Sequence, residues 1–417
     1  MGPIEHPQSA LLQRSTTKQY PEAVSGDGVY IIQEDGTRIL DGCSGAAISC
    51  LGHSEQVVID AIVEQARKLS FVHGSFFTNR PAEELAQHFI SLSDGAFSKA
   101  VFLSSGSEAI ETAIKLARHY HLCKQQPKRT KYIARYGSYH GNTIGALSAS
   151  FNPVRREPFE PILSPVFRHA SACHYSRDGL PGEREDDYVD QLALEMEQLF
   201  IEEGPSTVAA VIVEPVVGAT LGAVPAAKGY LRRLRQLCDR YGSLLIFDEV
   251  MCGLGRVGTT HAWQSLGGVQ PDLQTIGKGL AAGYQPISGV LISPTVADQL
   301  EQSSKANAFR TIDKRDLLGN VRRVGELLEA QLRSRVPCVG EVRGMGLFLG
   351  VELAGPMASR VTDACLERGA AVYLCSPVVN AIILAPPFIL TPEEAHDLVE
   401  MIREAVLAVS SNDNVNA

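Results

Sequence analysis

VIVEP (residues 211–215), SLLIFDEV (243–250) and LQTIGKGL (273–280) decide how this chain folds. The first two are apolar runs of strand length that end abruptly in carboxylates, Glu214 in one, Asp248 and Glu249 in the other. The third repeats the layout and ends at Lys278 between two glycines. Short apolar runs bounded by polar residues read as strands buried on both faces, as in a parallel sheet. Three strand ends then bring Glu214, Asp248 and Lys278 to one edge. In open α/β sheets that carboxyl edge is where ligands bind.

Working outward, YLRRLRQLCDRYG (230–242) reads as a crossover helix with Gly242 as its stop. KAVFLSSGSEAIETAIKLARHYH (99–121) runs from a short strand through Ser104, Ser105, Gly106 and Ser107 straight into a helix, with Glu111 and Lys115 at pairing distance along its face. A turn of small residues at a helix N-terminus offers backbone N–H groups and the positive end of the dipole, a phosphate site. KYIARYGSYHGNTIGALSAS (131–150) is a further strand and a glycine-rich loop carrying Tyr139 and His140. An aromatic beside glycines can stack on a flat ligand. Strands alternating with helices imply an α/β fold with a mostly parallel sheet.

Each part also has a plainer reading. Lys278 could be a surface lysine, Asp248 and Glu249 a turn, Glu214 a strand cap, and Tyr139 and His140 a packed pair. Taken singly, Ser- and Gly-rich strand–helix junctions mostly hold nothing. What favours a site is that all the parts fall at strand ends in one order.

The flanks complete the outline. GDGVYIIQEDGTRILDG (26–42) predicts a hairpin around Asp35 and Gly36, and residues 53–69 a helix capped by Ser54. RPAEELAQHFISL (80–92) predicts a helix opened by Pro81. After Ser293 the pattern changes to a long amphipathic helix (314–335), a glycine-interrupted strand region (340–353), a helix (361–369) and a strand ended by prolines (381–390). A last helix (391–409) opens with a capping box of Thr391 and Glu394. That half reads as a smaller α+β lobe.

With 417 residues the chain exceeds a single core's usual limit, so two lobes are expected. A net charge of −9 with no basic stripe argues against nucleic acid and acidic membranes. The nine cysteines form no CxxC pair and no metal-ligand spacing, which fits a reducing compartment. No apolar run would span a bilayer, residues 1–24 lack a signal-peptide core, and His6 stands where myristoylation wants Ser or Thr. A cytoplasmic protein with a polar, frayed tail is expected.

A lysine between glycines can form a Schiff base with an aldehyde, and an aspartate on the next strand can hold a ring nitrogen protonated. With a phosphate cradle and a stacking aromatic, these are the needs of pyridoxal 5′-phosphate, an electron sink. FLSSGSEAIETAIKLAR, YHGNTIGALS, EPVVGATLGAVP, LLIFDEVMCGLGRVGT, PDLQTIGKGLAAGYQP and VRGMGLFLGVEL together resemble the class III pyridoxal-phosphate aminotransferases, and the likeness runs from about residue 26 to about 409. The resemblance implies the fold-type I architecture. It places a large cofactor domain at 71–305 and a smaller α+β domain made by both chain ends, 1–70 and 306–417. It also implies a homodimer.

Position by position, Lys278 matches the lysine that bonds the cofactor and shuttles the proton, and Asp248 the partner of the ring nitrogen. Gly106 and Ser107 match the phosphate turn, Tyr139 with its neighbour His140 the stacking loop, and Glu214 a glutamate that orders the site. The implied reaction moves an amino group from an amine or ω-amino acid to a keto acid or aldehyde. A decarboxylase or aminomutase on the same fold and a non-catalytic relative are the competing readings.

Two departures stand out against that family. Relatives carry a run of the form HGHTY…HP…ACAA whose threonine, from the neighbouring subunit, binds the cofactor phosphate. This chain passes directly from Phe309 to Arg310, which leaves open a skipped exon or changed chemistry. And Ile383, three residues before the Pro386–Pro387 pair, stands where relatives acting on ornithine-type substrates place a carboxylate-gripping arginine.

Overall fold

The computed structural model describes residues 11–12, 20–74, 76–304, 315–376 and 379–415, in two units, Met1–Glu301 and Gln302–Ala417. The Phe309–Arg310 junction lies outside the described residues.

In the first unit, β1 (Ala23–Asp27), β2 (Tyr30–Gln33) and β3 (Arg38–Leu40) form an antiparallel sheet. The hairpin expected around Asp35 and Gly36 is the β2–β3 turn, and Gly36 adopts the positive φ (84°) it needs. The helix that follows spans Gln56–Lys68, and its cap is Glu55 rather than Ser54. Ser54 has φ 62° and gives its hydroxyl to the carbonyl of Gly26, so it ties the helix start to β1 instead.

The large sheet contains β4 (Lys99–Leu103), β5 (Lys131–Arg135), β6 (Phe167–Ala170), β7 (Val208–Val213), β10 (Leu244–Asp248), β11 (Leu273–Ile276) and β12 (Ser288–Ile292). A small hairpin, β8 (Val216–Val217) with β9 (Val224–Pro225), interrupts this series. The strand order is β4-β12-β11-β10-β7-β5-β6, parallel throughout except that β12 runs against both neighbours. That is the mostly parallel α/β sheet read from the sequence.

Alternation along the buried strands explains the layers. Val211, Val213, Leu245 and Phe247 face a core shared with Leu192, Met196, Phe200 and Leu234, from helices Glu185–Glu203 and Tyr230–Tyr241. Ile212, Leu244 and Ile246 face the other way, onto Ala109, Ala113 and Ala117 of helix Gly106–Cys123. Alanines four apart form a narrow stripe on one helix face, which lets that helix close tightly on the sheet.

The second unit holds an antiparallel sheet of order β13-β14-β16-β15, from β13 (Val339–Met345), β14 (Phe348–Leu353), β15 (Tyr373–Ser376) and β16 (Val379–Leu384). The glycine-interrupted stretch is the β13–β14 hairpin, turning at Gly346 (φ 55°). Helices Leu317–Arg335, Ala358–Glu367 and Pro392–Val415 cover one core with it. The capping box is formed, the Glu394 N–H donating to the Thr391 hydroxyl (3.1 Å) and the Thr391 N–H to the Glu394 carboxylate (2.8 Å). Ile383 lies in β16, paired with Gly350 of β14. Among the described residues no helix is long and apolar enough to cross a membrane.

Candidate active site

Asp248 is the last residue of β10 and is buried. Its Oδ2 lies 2.8 Å from His140 Nδ1, and its Oδ1 accepts from the Val250 N–H (3.1 Å) and the Thr275 hydroxyl (3.2 Å). Three partners from three segments fix the direction of this carboxylate. His140 is held in turn by its backbone N–H donating to the Ser150 hydroxyl (2.7 Å). Its Nε2 is buried and has no hydrogen-bond partner among the described residues.

Lys278 follows β11 and opens the short turn Lys278–Ala281. It adopts φ 44°, a left-handed conformation that costs a side-chain-bearing residue about 1–2 kcal/mol. Strain of this kind persists where the surroundings fix it, commonly at functional sites. The preceding Gly277 is packed closely, since a Cβ there would meet Val250 Cγ1 at 3.3 Å.

Gly106 and Ser107 form the first turn of helix Gly106–Cys123, behind the N-cap Ser105. Ser105 Oγ accepts from the Glu108 N–H (3.3 Å), and the Glu108 carboxylate accepts from the Ser104 N–H (3.1 Å). The N–H groups of Gly106 and Ser107 stay in the first turn, where a helix supplies no acceptor of its own. A Cβ on Gly106 would approach Val250 Cγ1 to 2.8 Å, so glycine is what lets the helix start meet the end of β10.

Glu214 follows β7, buried, and accepts from the N–H groups of Tyr139 and Gly218, both at 3.0 Å. Burial raises its pKa above the ordinary value, His140 opposes the rise, and the charge of Asp248 adds to it. Glu249, adjacent to Asp248, turns away and accepts from the N–H groups of Ala262 (2.7 Å) and Trp263 (2.9 Å) and the Gln274 amide (2.9 Å). It holds the wall behind the strand ends.

A cavity of about 440 Å³ brings these groups together. Its lining includes Gly106, Ser107, Tyr139, His140, Glu214, Asp248 and Lys278, all seven residues singled out from the sequence. Two features escaped that reading. Arg155 also lines the cavity, its guanidinium carbon 4.6 Å from the centre of the Tyr139 ring. And Glu111, expected to pair with Lys115, instead accepts from the N–H groups of Gly145 (2.7 Å) and Ala146 (3.1 Å), while Ser107 Oγ accepts from the Asn142 N–H (2.9 Å). Helix Gly106–Cys123 is thereby braced against the loop that carries Tyr139. The 144–149 helix takes no side-chain cap from Thr143, and Glu111 accepts from its first N–H groups instead; with a favoured cap residue in place, the sequence carried no signal of that role.

Comparison with known proteins agrees with this geometry. The family described as "Aminotransferase class-III" matches residues 13–406. An uncharacterized aminotransferase of Schizosaccharomyces pombe is 37% identical over 437 aligned positions, covering 95% of this chain and 94% of that protein. A mitochondrial gamma-aminobutyrate transaminase of rice (Oryza sativa subsp. japonica) is 32% identical, covering 92% of this chain and 80% of that one. Among solved structures, the omega transaminase of Pseudomonas jessenii in complex with PMP is 30% identical, with a TM-score of 0.66 and coverage of 94% and 93%. A match running nearly end to end, on a chain whose strand ends converge on a lysine and an aspartate, assigns the protein: it belongs to the class III aminotransferase family.

Proposed function

We propose that this pyridoxal-phosphate-dependent aminotransferase takes nitrogen from an amine or ω-amino acid and gives it to a keto acid or aldehyde, with the cofactor held between Lys278 and Asp248. The observation that carries the reading is the convergence, on one cavity, of Lys278, the His140–Asp248 pair and the open first turn at Gly106 and Ser107. The rice relative, named as a gamma-aminobutyrate transaminase, supports the ω-amino acid class.

The lining suits the cofactor. Asp248 has lone pairs left after its three bonds and a direction fixed by them, as a partner for a protonated ring nitrogen must. Gly106 and Ser107 offer N–H groups to a phosphate, and Tyr139 a ring face to stack on. When bound, the cofactor supplies an electron sink for the carbon that loses its proton. Lys278, which lines the same cavity, would be the group to take up and return that proton. Glu214 keeps the Tyr139 backbone in place, and His140 keeps Asp248 aimed.

For the phosphate we infer that this chain relies on its own helix start. The alignment with the yeast relative runs over 437 positions, more than the 417 residues here, so part of it falls opposite gaps in this chain. A cytoplasmic homodimer is the setting we propose. Nine cysteines with no disulfide among the described residues support a reducing compartment, and the exposed Phe71, Phe76 and Phe77 support a partner surface.

The test is the visible spectrum of the purified protein after incubation with pyridoxal phosphate and dialysis, beside Lys278→Ala. A band present only with the lysine and bleached by an added amine is the expected result. Two indistinguishable, colourless proteins would show that this chain is not a working aminotransferase.

A further inference from the structure

Two adjacent arginines follow Pro153 in the short helix Pro153–Arg156, and the structure uses them differently. Arg156 is buried. Its guanidinium donates to the carbonyls of Ser148 (3.0 Å) and Ser150 (2.9 Å) and pairs with Glu160, which anchors the segment. Arg155 is exposed, lines the cavity, and forms no ion pair among the described residues.

The contacts of Arg155 leave its binding edge open. Its guanidinium lies over the Tyr139 ring at 4.6 Å, so one face is occupied by the aromatic. The N–H groups project in the guanidinium plane and remain available as a fork that matches a carboxylate. The cavity's own carboxylates are engaged elsewhere: Asp248 with His140, Val250 and Thr275, and Glu214 with the N–H groups of Tyr139 and Gly218. Lys278, the other basic side chain of the lining with a non-aromatic head, is committed to the proposed chemistry. A positive fork at the wall of a site that handles amines is of no use to a plain amine, which it repels. It suits a substrate with an anionic end.

We propose that Arg155 binds the carboxylate of the substrate and makes this enzyme selective for carboxylate-bearing donors and acceptors over plain amines. The inference rests on the aminotransferase reading for the identity of the cavity, but its test does not depend on turnover. Butyrate, which has the carboxylate and no amine, is titrated by calorimetry into the wild-type protein incubated with pyridoxal phosphate, Arg155→Gln and Arg155→Lys. Cofactor affinity is measured on the same proteins by absorbance.

The expected result is butyrate binding weakened about ten- to a hundredfold in Arg155→Gln, partly restored in Arg155→Lys, with cofactor affinity unchanged. Unchanged butyrate binding overturns the proposal. So does a loss confined to cofactor affinity, which would assign the arginine to the phosphate. Failure of the wild-type protein to form its lysine-dependent band would instead sink the aminotransferase reading, and the butyrate comparison would still report on Arg155.

Discussion

Replacing Glu249 by glutamine should reverse the sign of its effect on stability between pH 5 and pH 8. Burial pushes this carboxyl up to about 7 against the two backbone N–H groups that bind it, and the charge of Asp248 adds to the rise. In the unfolded chain a glutamate titrates near 4.3, so between these values the unfolded state releases its proton first. The folded state then holds more protons, and stability falls as pH rises through that window, levelling off above about 7. From pH 5 to pH 8 the loss works out at about 2–3 kcal/mol.

Glutamine has no proton to lose, so the difference between variant and wild type should move by that amount in the variant's favour. Against this, its amide nitrogen must face a backbone N–H of Ala262 or Trp263, leaving a buried donor unsatisfied at about 1–3 kcal/mol at every pH. The variant should therefore be the weaker protein at pH 5 and the stronger one at pH 8. Urea unfolding followed by tryptophan fluorescence is the assay, because the chain's single tryptophan, Trp263, is itself a donor to Glu249. A difference that stays constant from pH 5 to pH 8 would refute the reasoning, since it would mean that Glu249 ionises as freely in the fold as outside it.

Three other expectations concern the cavity itself. His140→Leu removes the 2.8 Å partner of Asp248 and should weaken cofactor binding by about 1.5–3 kcal/mol, while His140→Asn, which can still donate, should lose less; absorbance titration reads both. Gly106→Ala drives a methyl toward Val250 Cγ1 at 2.8 Å and should cost about 1–3 kcal/mol, much of it recovered when Val250→Ala is added, as thermal melting would show. Lys278→Gly should abolish transamination yet melt higher than Lys278→Ala by the equivalent of about 1 kcal/mol, because glycine tolerates the φ of 44°. Equal melting temperatures for those two variants would mean that the backbone relaxes once the lysine is gone.

Much of this was legible from strand ends. Asp248 closes β10 at the end of an unbroken apolar run, and Lys278 stands two residues beyond β11, past the glycine that ends it. The direction of a side chain is another matter. Asp248 and Glu249 are neighbours in the chain and identical in charge, yet one faces the cavity and the other the wall, which is decided by partners distant in sequence: His140 and Thr275 for the one, Ala262, Trp263 and Gln274 for the other. β6, with the sequence FRHA, carries neither an apolar run nor strict alternation, and it pairs because β5 offers it an edge. Glu111 and Arg155 act on segments more than fifteen residues away from themselves, across turns whose geometry local spacing does not encode.

The brace between helix Gly106–Cys123 and the Tyr139 loop bears on how such an enzyme can diversify. Gly141 and Gly145 sit so close to Ser107 and Glu111 that an added Cβ would come within 2.6 Å of the one and 2.5 Å of the other. The proposed phosphate turn and the proposed stacking ring are therefore inherited together, and drift in either one is punished by the other. Freedom to acquire new substrates is left to walls outside the brace, such as Ala46, Arg155 and Thr220. A lineage descended from this chain would be expected to keep its cofactor grip nearly fixed while those three positions wander.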